Sequence, residues 1–189
     1  SRVWDAILAA QASKIRTKIN CVLLKGFNDH EFFDLIHLAR DYDLDVRFIE
    51  IMPIGYGKGF EGFDKKELIK KIAEKYPDYQ IEQNIHGNGP ASYISIPGFK
   101  GCIGFIDAIH GKFCDQCNRI RLTSDGILKL CLYYENGIDL KKLLRSRASS
   151  DELLTAMKNT IYKKPAEHQF HLIATEGSEE HKKMSQIGG

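Results

Sequence analysis

Cys114 and Cys117 are separated by two residues, Cys131 follows after thirteen more, and Arg119 and Arg121 stand just behind the second cysteine in Phe113-Cys114-Asp115-Gln116-Cys117-Asn118-Arg119-Ile120-Arg121-Leu122-Thr123. A C-x2-C pair on a turn lets two sulfurs converge on one metal ion or one cluster edge, and a hairpin that returns the third makes a pocket. Three soft ligands leave a metal or cluster one ligand short. On a strand, residues two apart face one way, so Arg119 and Arg121 are expected to bind phosphate together through charge-assisted, bidentate hydrogen bonds. The plainer use of the two arginines is pairing with Asp107, Asp115 or Asp125. Spacing alone leaves two metal readings open. His110, four residues before Cys114, completes a structural Cys3His zinc site, or an iron–sulfur cluster keeps one iron open for a substrate atom acting as a Lewis base.

The bulk composition narrows what such a site serves. The 189 residues suit one large domain or one and a half ordinary ones, and 43% hydrophobic with 28% charged is ordinary globular composition. A formal charge of +2 and a pI near 8.2 are too mild to argue for nucleic-acid or membrane binding, so anion recognition must be local. No apolar run approaches the roughly 20 residues that span a bilayer, and the expectation is a soluble, cytoplasmic protein. Five cysteines then read as reduced thiols, three of them ligands, with Cys21 and Cys102 left over. The chain begins at Ser1 and is helix-like at once, which leads us to expect a missing upstream segment.

The elements that must position these residues read as follows. Residues 3–12 form a helix, and Lys18 to Leu24 a buried strand covered on both faces, with Lys18 and Asn20 on one side. Gly26-Phe27-Asn28-Asp29 turns the chain and caps a helix over about 30–42 from Asn28 or Asp29. A second strand, Val46 to Met52, ends at Pro53 and a glycine-rich stretch. Strand, helix, strand with short connections is a βαβ unit with parallel strands, and ligands gather at the carboxyl ends of such strands, here at Met52. The character changes at Phe60. A helix from Asp64 to about Tyr76 precedes segments at Tyr79 to Gln83, Ala91 to Ile96 and Gly101 to Ile106, which look like a small antiparallel sheet. Ser124-Asp125-Gly126 is a tight turn between Arg119 to Thr123 and Ile127 to Leu132, a hairpin returning Cys131 towards Cys114 and Cys117. Helices at about 139–147 and 149–162 and a polar tail finish the chain.

The chain resembles the GTP 3′,8-cyclase family, the radical S-adenosylmethionine enzymes that open molybdenum-cofactor biosynthesis. The resemblance rests on Lys18-Ile19-Asn20, Arg47-Phe48-Ile49-Glu50-Ile51-Met52-Pro53-Ile54-Gly55, Gly89-Pro90-Ala91, Phe113 to Thr123, Asp125-Gly126-x-Leu128-x-x-Cys131-Leu132 and the terminal Ile187-Gly188-Gly189. It implies an α/β fold: residues 1–59 as the C-terminal βαβ part of an incomplete (β/α)6 radical S-adenosylmethionine barrel, and 60–189 as a small α+β iron–sulfur domain. It implies that Cys114, Cys117 and Cys131 ligate a second [4Fe-4S] cluster whose open iron binds the guanine of GTP. Arg119, Arg121 and Lys18 match GTP contacts, Met52 matches the S-adenosylmethionine site, Arg47 lies in the active-site strand, and Gly188 and Gly189 match a tail that enters the catalytic pocket. The implied partners are GTP, S-adenosylmethionine, a second copy in a homodimer and, by pathway, cyclic pyranopterin monophosphate synthase. The resemblance lowers the zinc reading.

One departure accompanies the match. The family's first cluster uses C-x3-C-x2-C, and this sequence has no such motif. The expectation is therefore a C-terminal portion that is inactive alone. For the intact enzyme the resemblance implies that the 5′-deoxyadenosyl radical takes hydrogen from C3′ of the GTP ribose and that the carbon radical attacks C8 of guanine.

Overall fold

The computed structural model describes residues 1–84, 86–111, 113–168 and 186. The chain forms two compact units, Ser1–Ile51 with Phe60–Gly111, and Met52–Gly59 with Lys112–Gly189.

The first unit is built on a five-stranded sheet. Its strands are β1 (Thr17–Cys21), β2 (Leu44–Ile49), β3 (Gln80–Glu82), β4 (Ser92–Ser95) and β5 (Ile103–Ile106), in the order β1-β2-β5-β4-β3. β1, β2 and β5 run parallel, and β4 and β3 continue the sheet antiparallel. The period-2 alternation of β2 decides the faces. Val46 and Phe48 are buried opposite Ile103 and Phe105, their register partners on β5. Over that face lies α2 (Phe32–Asp41), whose Phe32, Ile36 and Ala39 fall at helical spacing and are buried. The rings of Phe32 and Phe48 are 5.0 Å apart. Leu68 and Ile72 of α3 (Lys65–Lys75) belong to the same core, and a reciprocal capping box between Asp64 and Glu67 starts that helix. α1 (Arg2–Ala12) buries no residue fully. Among the described residues, no helix is long and apolar enough to cross a membrane.

Three expectations change. The segment from Lys18 to Leu24 is not a strand buried on both faces: β1 ends at Cys21 and lies at one edge of the sheet. The Asn28 side chain explains the early end, accepting from the N–H of Leu24 at 2.8 Å and donating to the carbonyl of Val22 at 3.0 Å, so these backbone groups bond to a turn. Asn28 therefore does not cap the following helix, and Asp29 bonds back to the N–H of Gly26 at 3.2 Å. Finally, β3 to β5 are no separate sheet. β5 presents Ile103 and Phe105 to the face already occupied by Val46 and Phe48, so burying them together joins it to β2. The change of character at Phe60 marks a change of strand direction within one sheet.

The second unit holds a three-stranded antiparallel sheet of β6 (Arg121–Leu122), β7 (Ile127–Lys129) and β8 (Gly137–Asp139), followed by α4 (Leu140–Arg145) and α5 (Ser150–Ile161). The expected tight turn is present. Thr123 Oγ1 donates to Asp125 at 2.5 Å and accepts from the N–H of Ile127 at 2.9 Å, while Gly126 takes φ +89°, a conformation that costs glycine least. β8 was not legible in the sequence, because three residues are too few for a periodic signal.

Candidate functional site

Cys114 opens a single 3-10 turn, Cys114–Gln116, and the N–H of Cys117 closes it on the carbonyl of Cys114 at 3.1 Å. This turn sets the spacing of the first two sulfurs. The third comes from the hairpin: Arg121 pairs with Lys129 in register, and Cys131 follows two residues later. All three cysteines are free thiols of intermediate burial. Burial pushes the Cys114 thiol above its ordinary range; a hydrogen bond from the His168 backbone N–H works against this, and Cys131 and Cys117 raise it further.

Lys164, just beyond α5, reaches back across 47 residues to this turn. Its Nζ donates to the carbonyl of Cys117 at 2.5 Å and of Arg119 at 2.9 Å, and lies 3.4 Å from Cys117 Sγ. Lys129, 2% exposed, is the register partner of Arg121, so two basic side chains meet on neighbouring strands. Neither lysine was foreseen, because a lysine in a polar tail and a lysine in a short strand carry no local signal of charge burial. Such cations suit a site made of thiolates and an anionic ligand.

The two arginines differ. Arg121 lies in β6, is half-buried, and its buried Nε finds no hydrogen-bond partner among the described residues. Arg119 precedes the strand and is exposed, so the alternation expected to turn both to one face covers Arg121 alone. A buried donor without an acceptor is costly, on the order of 1–3 kcal/mol, and an anionic ligand removes that cost.

The other expected residues lie apart in the sequence. Met52 follows β2 and is half-buried. Gly188 and Gly189 lie outside the described residues. His110, the proposed fourth zinc ligand, belongs to the first unit, where its Nδ1 pairs with the buried carboxylate of Glu50. Glu50 also accepts from the N–H groups of Ile109 at 2.7 Å and His110 at 3.1 Å, which fixes the loop after β5 to the carboxyl end of β2.

Lys18 and Arg47 share a polar face of the first unit's sheet, opposite the core. A single row of register partners crosses all five strands there: Asn20, Arg47, Gly104, Tyr93 and Glu82. Arg47 Nε donates to Asn20 Oδ1 at 2.8 Å. The absent side chain of Gly104 makes room for it, since a Cβ there would stand 2.8 Å from the Tyr93 ring and 2.9 Å from Arg47 Cγ. Lys18 donates to the carbonyl of His86 and lies 5.7 Å from the centre of the Tyr93 ring. Desolvation and the nearby Arg47 lower its pKa. The sequence paired Lys18 with Asn20 on one side of a strand, but Tyr93 as the floor of this face needed the sheet order.

Comparison with known proteins places the chain in a family. Residues 44–170 match the family model described as Molybdenum Cofactor Synthesis C. The chain is 44% identical over 188 residues to a GTP 3′,8-cyclase of Clostridium perfringens (strain 13 / Type A), covering 100% of this chain and 58% of that protein. It is 40% identical over 190 residues to a GTP 3′,8-cyclase of Moorella thermoacetica, covering 99% and 57%. It is also 39% identical over 181 residues to molybdenum cofactor biosynthesis protein 1 of Dictyostelium discoideum, covering 87% and 28%. The chain thus spans at most 58% of the length of these curated relatives.

Proposed function

Because this chain belongs to the Molybdenum Cofactor Synthesis C family, we propose that it forms the GTP-binding part of a GTP 3′,8-cyclase of molybdenum-cofactor biosynthesis. The observation that carries this reading is the pairing, in one unit, of Cys114, Cys117 and Cys131 with a half-buried Arg121 whose Nε is unmatched among the described residues. Three cysteine sulfurs, one of them 3.4 Å from Lys164 Nζ, fit a [4Fe-4S] cluster by donor type and by charge. That cluster, when bound, supplies an iron with an open position for a donor atom of the guanine.

The chain's own residues do the rest of the holding. Arg121, with Arg119, binds the triphosphate; by the family resemblance Lys18 is a further GTP contact and Arg47 a residue of the active-site strand. Met52 contributes to the S-adenosylmethionine site, and Gly188 and Gly189 to the catalytic pocket. Fixing base and phosphates together restricts rotation of the nucleotide, which a ring closure between C3′ of the ribose and C8 of the base requires. The whole enzyme would convert GTP to (8S)-3′,8-cyclo-7,8-dihydroguanosine 5′-triphosphate in the cytoplasm, as a homodimer, and deliver it to cyclic pyranopterin monophosphate synthase. These 189 residues contain no C-x3-C-x2-C motif for a radical-generating cluster, so the isolated chain is expected to be inactive. Residues 1–59 are then the end of an incomplete (β/α)6 barrel, and residues 60–189 the domain that holds the second cluster.

Glu50 holds Nδ1 of His110, so Nε2 is the nitrogen that would have to serve as the fourth ligand in the zinc reading. Anaerobic reconstitution separates the two. A brown protein with about four irons per chain, whose spectrum changes on adding GTP, is expected. A colourless protein with one tightly held zinc, lost on His110→Ala, would overturn the proposal.

A further inference from the structure

At the other end of the first unit's polar face stands a cluster that the cyclase reading does not use. Asp45 is the second residue of β2 and only 5% exposed. Its Oδ2 meets His86 Nδ1 at 2.9 Å, and its Oδ1 accepts from the N–H of Cys102 at 3.2 Å. One ligand atom each from Asp45, His86 and Cys102 lies within 4.8 Å of the others. The geometry points to a binding site for a zinc-like divalent cation formed by these three residues at the amino-terminal ends of β1, β2 and β5.

Each requirement of such a site has a counterpart in the structure. The donor set is carboxylate, imidazole and thiol, which suits zinc and excludes the hard, all-oxygen cations calcium and magnesium. Zinc holds such ligands at about 2.0–2.3 Å, so they stand roughly 3.3–3.8 Å apart in a tetrahedron, and the cluster closes on an ion with small side-chain rotations. The Asp45 and His86 side chains are 7% and 9% exposed, which limits competition from water. The outer shell is also present: the His86 ring stacks on Tyr93 with centroids 4.3 Å apart, and Lys18 holds the His86 carbonyl.

A path in exists as well. The three residues line one cleft of about 670 Å3 together with Arg16, Thr17 and Lys100. Three protein ligands leave a fourth position, open to that cleft, for water or an anionic ligand. Arg16 stands 3.7 Å from the Asp45 carboxylate with its side chain 60% exposed, at the solvent side. It neutralises the carboxylate in the metal-free protein. Once a bound zinc ion has displaced the thiol proton to solvent, Arg16 sits beside a site whose carboxylate and thiolate charges balance the ion.

The test uses the full chain, anaerobic and already loaded with iron so that the other cysteines are occupied. Zinc is added, excess removed, and both metals counted. The unsubstituted chain should retain about one zinc more than Cys102→Ser or His86→Gln, with zinc binding weakened more than about tenfold in each. Cobalt in place of zinc should give a thiolate-to-metal charge-transfer band that Cys102→Ser lacks. Zinc should raise the Tm of the unsubstituted chain and of neither variant, while the metal-free Tm values confirm that both variants fold. Equal zinc retention in all three folded proteins, or no cobalt–thiolate band, would overturn the inference. Because iron is counted separately, its absence would count against the cyclase reading alone.

Discussion

Arg47 on β2 and Asn20 on β1 are register partners in a parallel pair, and the guanidinium Nε donates to the amide oxygen at 2.8 Å. A long cation that would otherwise sample many rotamers is held over the polar face of the sheet by a short, stiff side chain. Gly104 on the next strand leaves the space in which this happens.

Two substitutions test that clamp. Asn20→Ala should cost about 0.5–1.5 kcal/mol in chemical denaturation by removing one hydrogen bond. Gly104→Ala should cost more, about 1–3 kcal/mol, because its Cβ would press on both Tyr93 and Arg47. A Gly104→Ala protein as stable as the parent would show that Arg47 has room to move aside.

The Glu50–His110 pair makes stability depend on pH. Its hydrogen bond to Glu50 chiefly raises the His110 pKa above the ordinary 6.5, opposed by desolvation. A raised folded-state pKa adds stability that is fully present below the unfolded value and disappears as pH rises through the folded one. The stability difference between the parent and His110→Ala should therefore be largest below about pH 6 and shrink above neutrality. Nuclear magnetic resonance titration should find His110 above 6.5 in the parent and shifted down in Glu50→Gln. A titration unmoved by Glu50→Gln would remove Glu50 as the cause.

Arg121 and Arg119 should not be equivalent. Calorimetric GTP binding, anaerobic and at fixed salt, should weaken by about 1.5–3 kcal/mol in Arg121→Ala, since its buried Nε has no partner among the described residues and would gain one with the ligand. Exposed Arg119 should contribute about 1 kcal/mol or less. Arg121→Lys should recover little, because an ammonium cannot reproduce the planar fork. Equal effects at both positions would mean that burial of Arg121 is irrelevant to the ligand.

Lys164 should matter to metal retention. Its Nζ ties the carbonyls of Cys117 and Arg119 and approaches the Cys117 sulfur, so Lys164→Met should release both the turn and the neighbouring charge. Iron loss to a chelator should then be about 10- to 100-fold easier, with Lys164→Arg intermediate. Unchanged iron retention in Lys164→Met would reduce the lysine to a surface clasp.

Much of this was legible in the chain itself. The C-x2-C-x13-C spacing with Arg119 and Arg121, the turn at Ser124-Asp125-Gly126, the capped helix from Asp64 and the βαβ order of β1, α2 and β2 are all local signals, set by neighbours within a few residues. They sufficed for the α/β class and for the family. Alternation in the sequence also put Lys18 and Asn20 on one side of β1.

What the sequence could not determine were the pairings made over long separations. That β5 joins β2 and leaves β1 at an edge depends on burying Val46, Phe48, Ile103 and Phe105 together, a packing decision no single segment encodes. That His110 bonds Glu50, that Lys164 returns to Cys117, and that Asp45, His86 and Cys102 converge depend on chain distances of 60, 47 and 57 residues or fewer. Local spacing names the residues able to do chemistry, but burial of the core chooses their neighbours, and the neighbours decide charge, orientation and ligand.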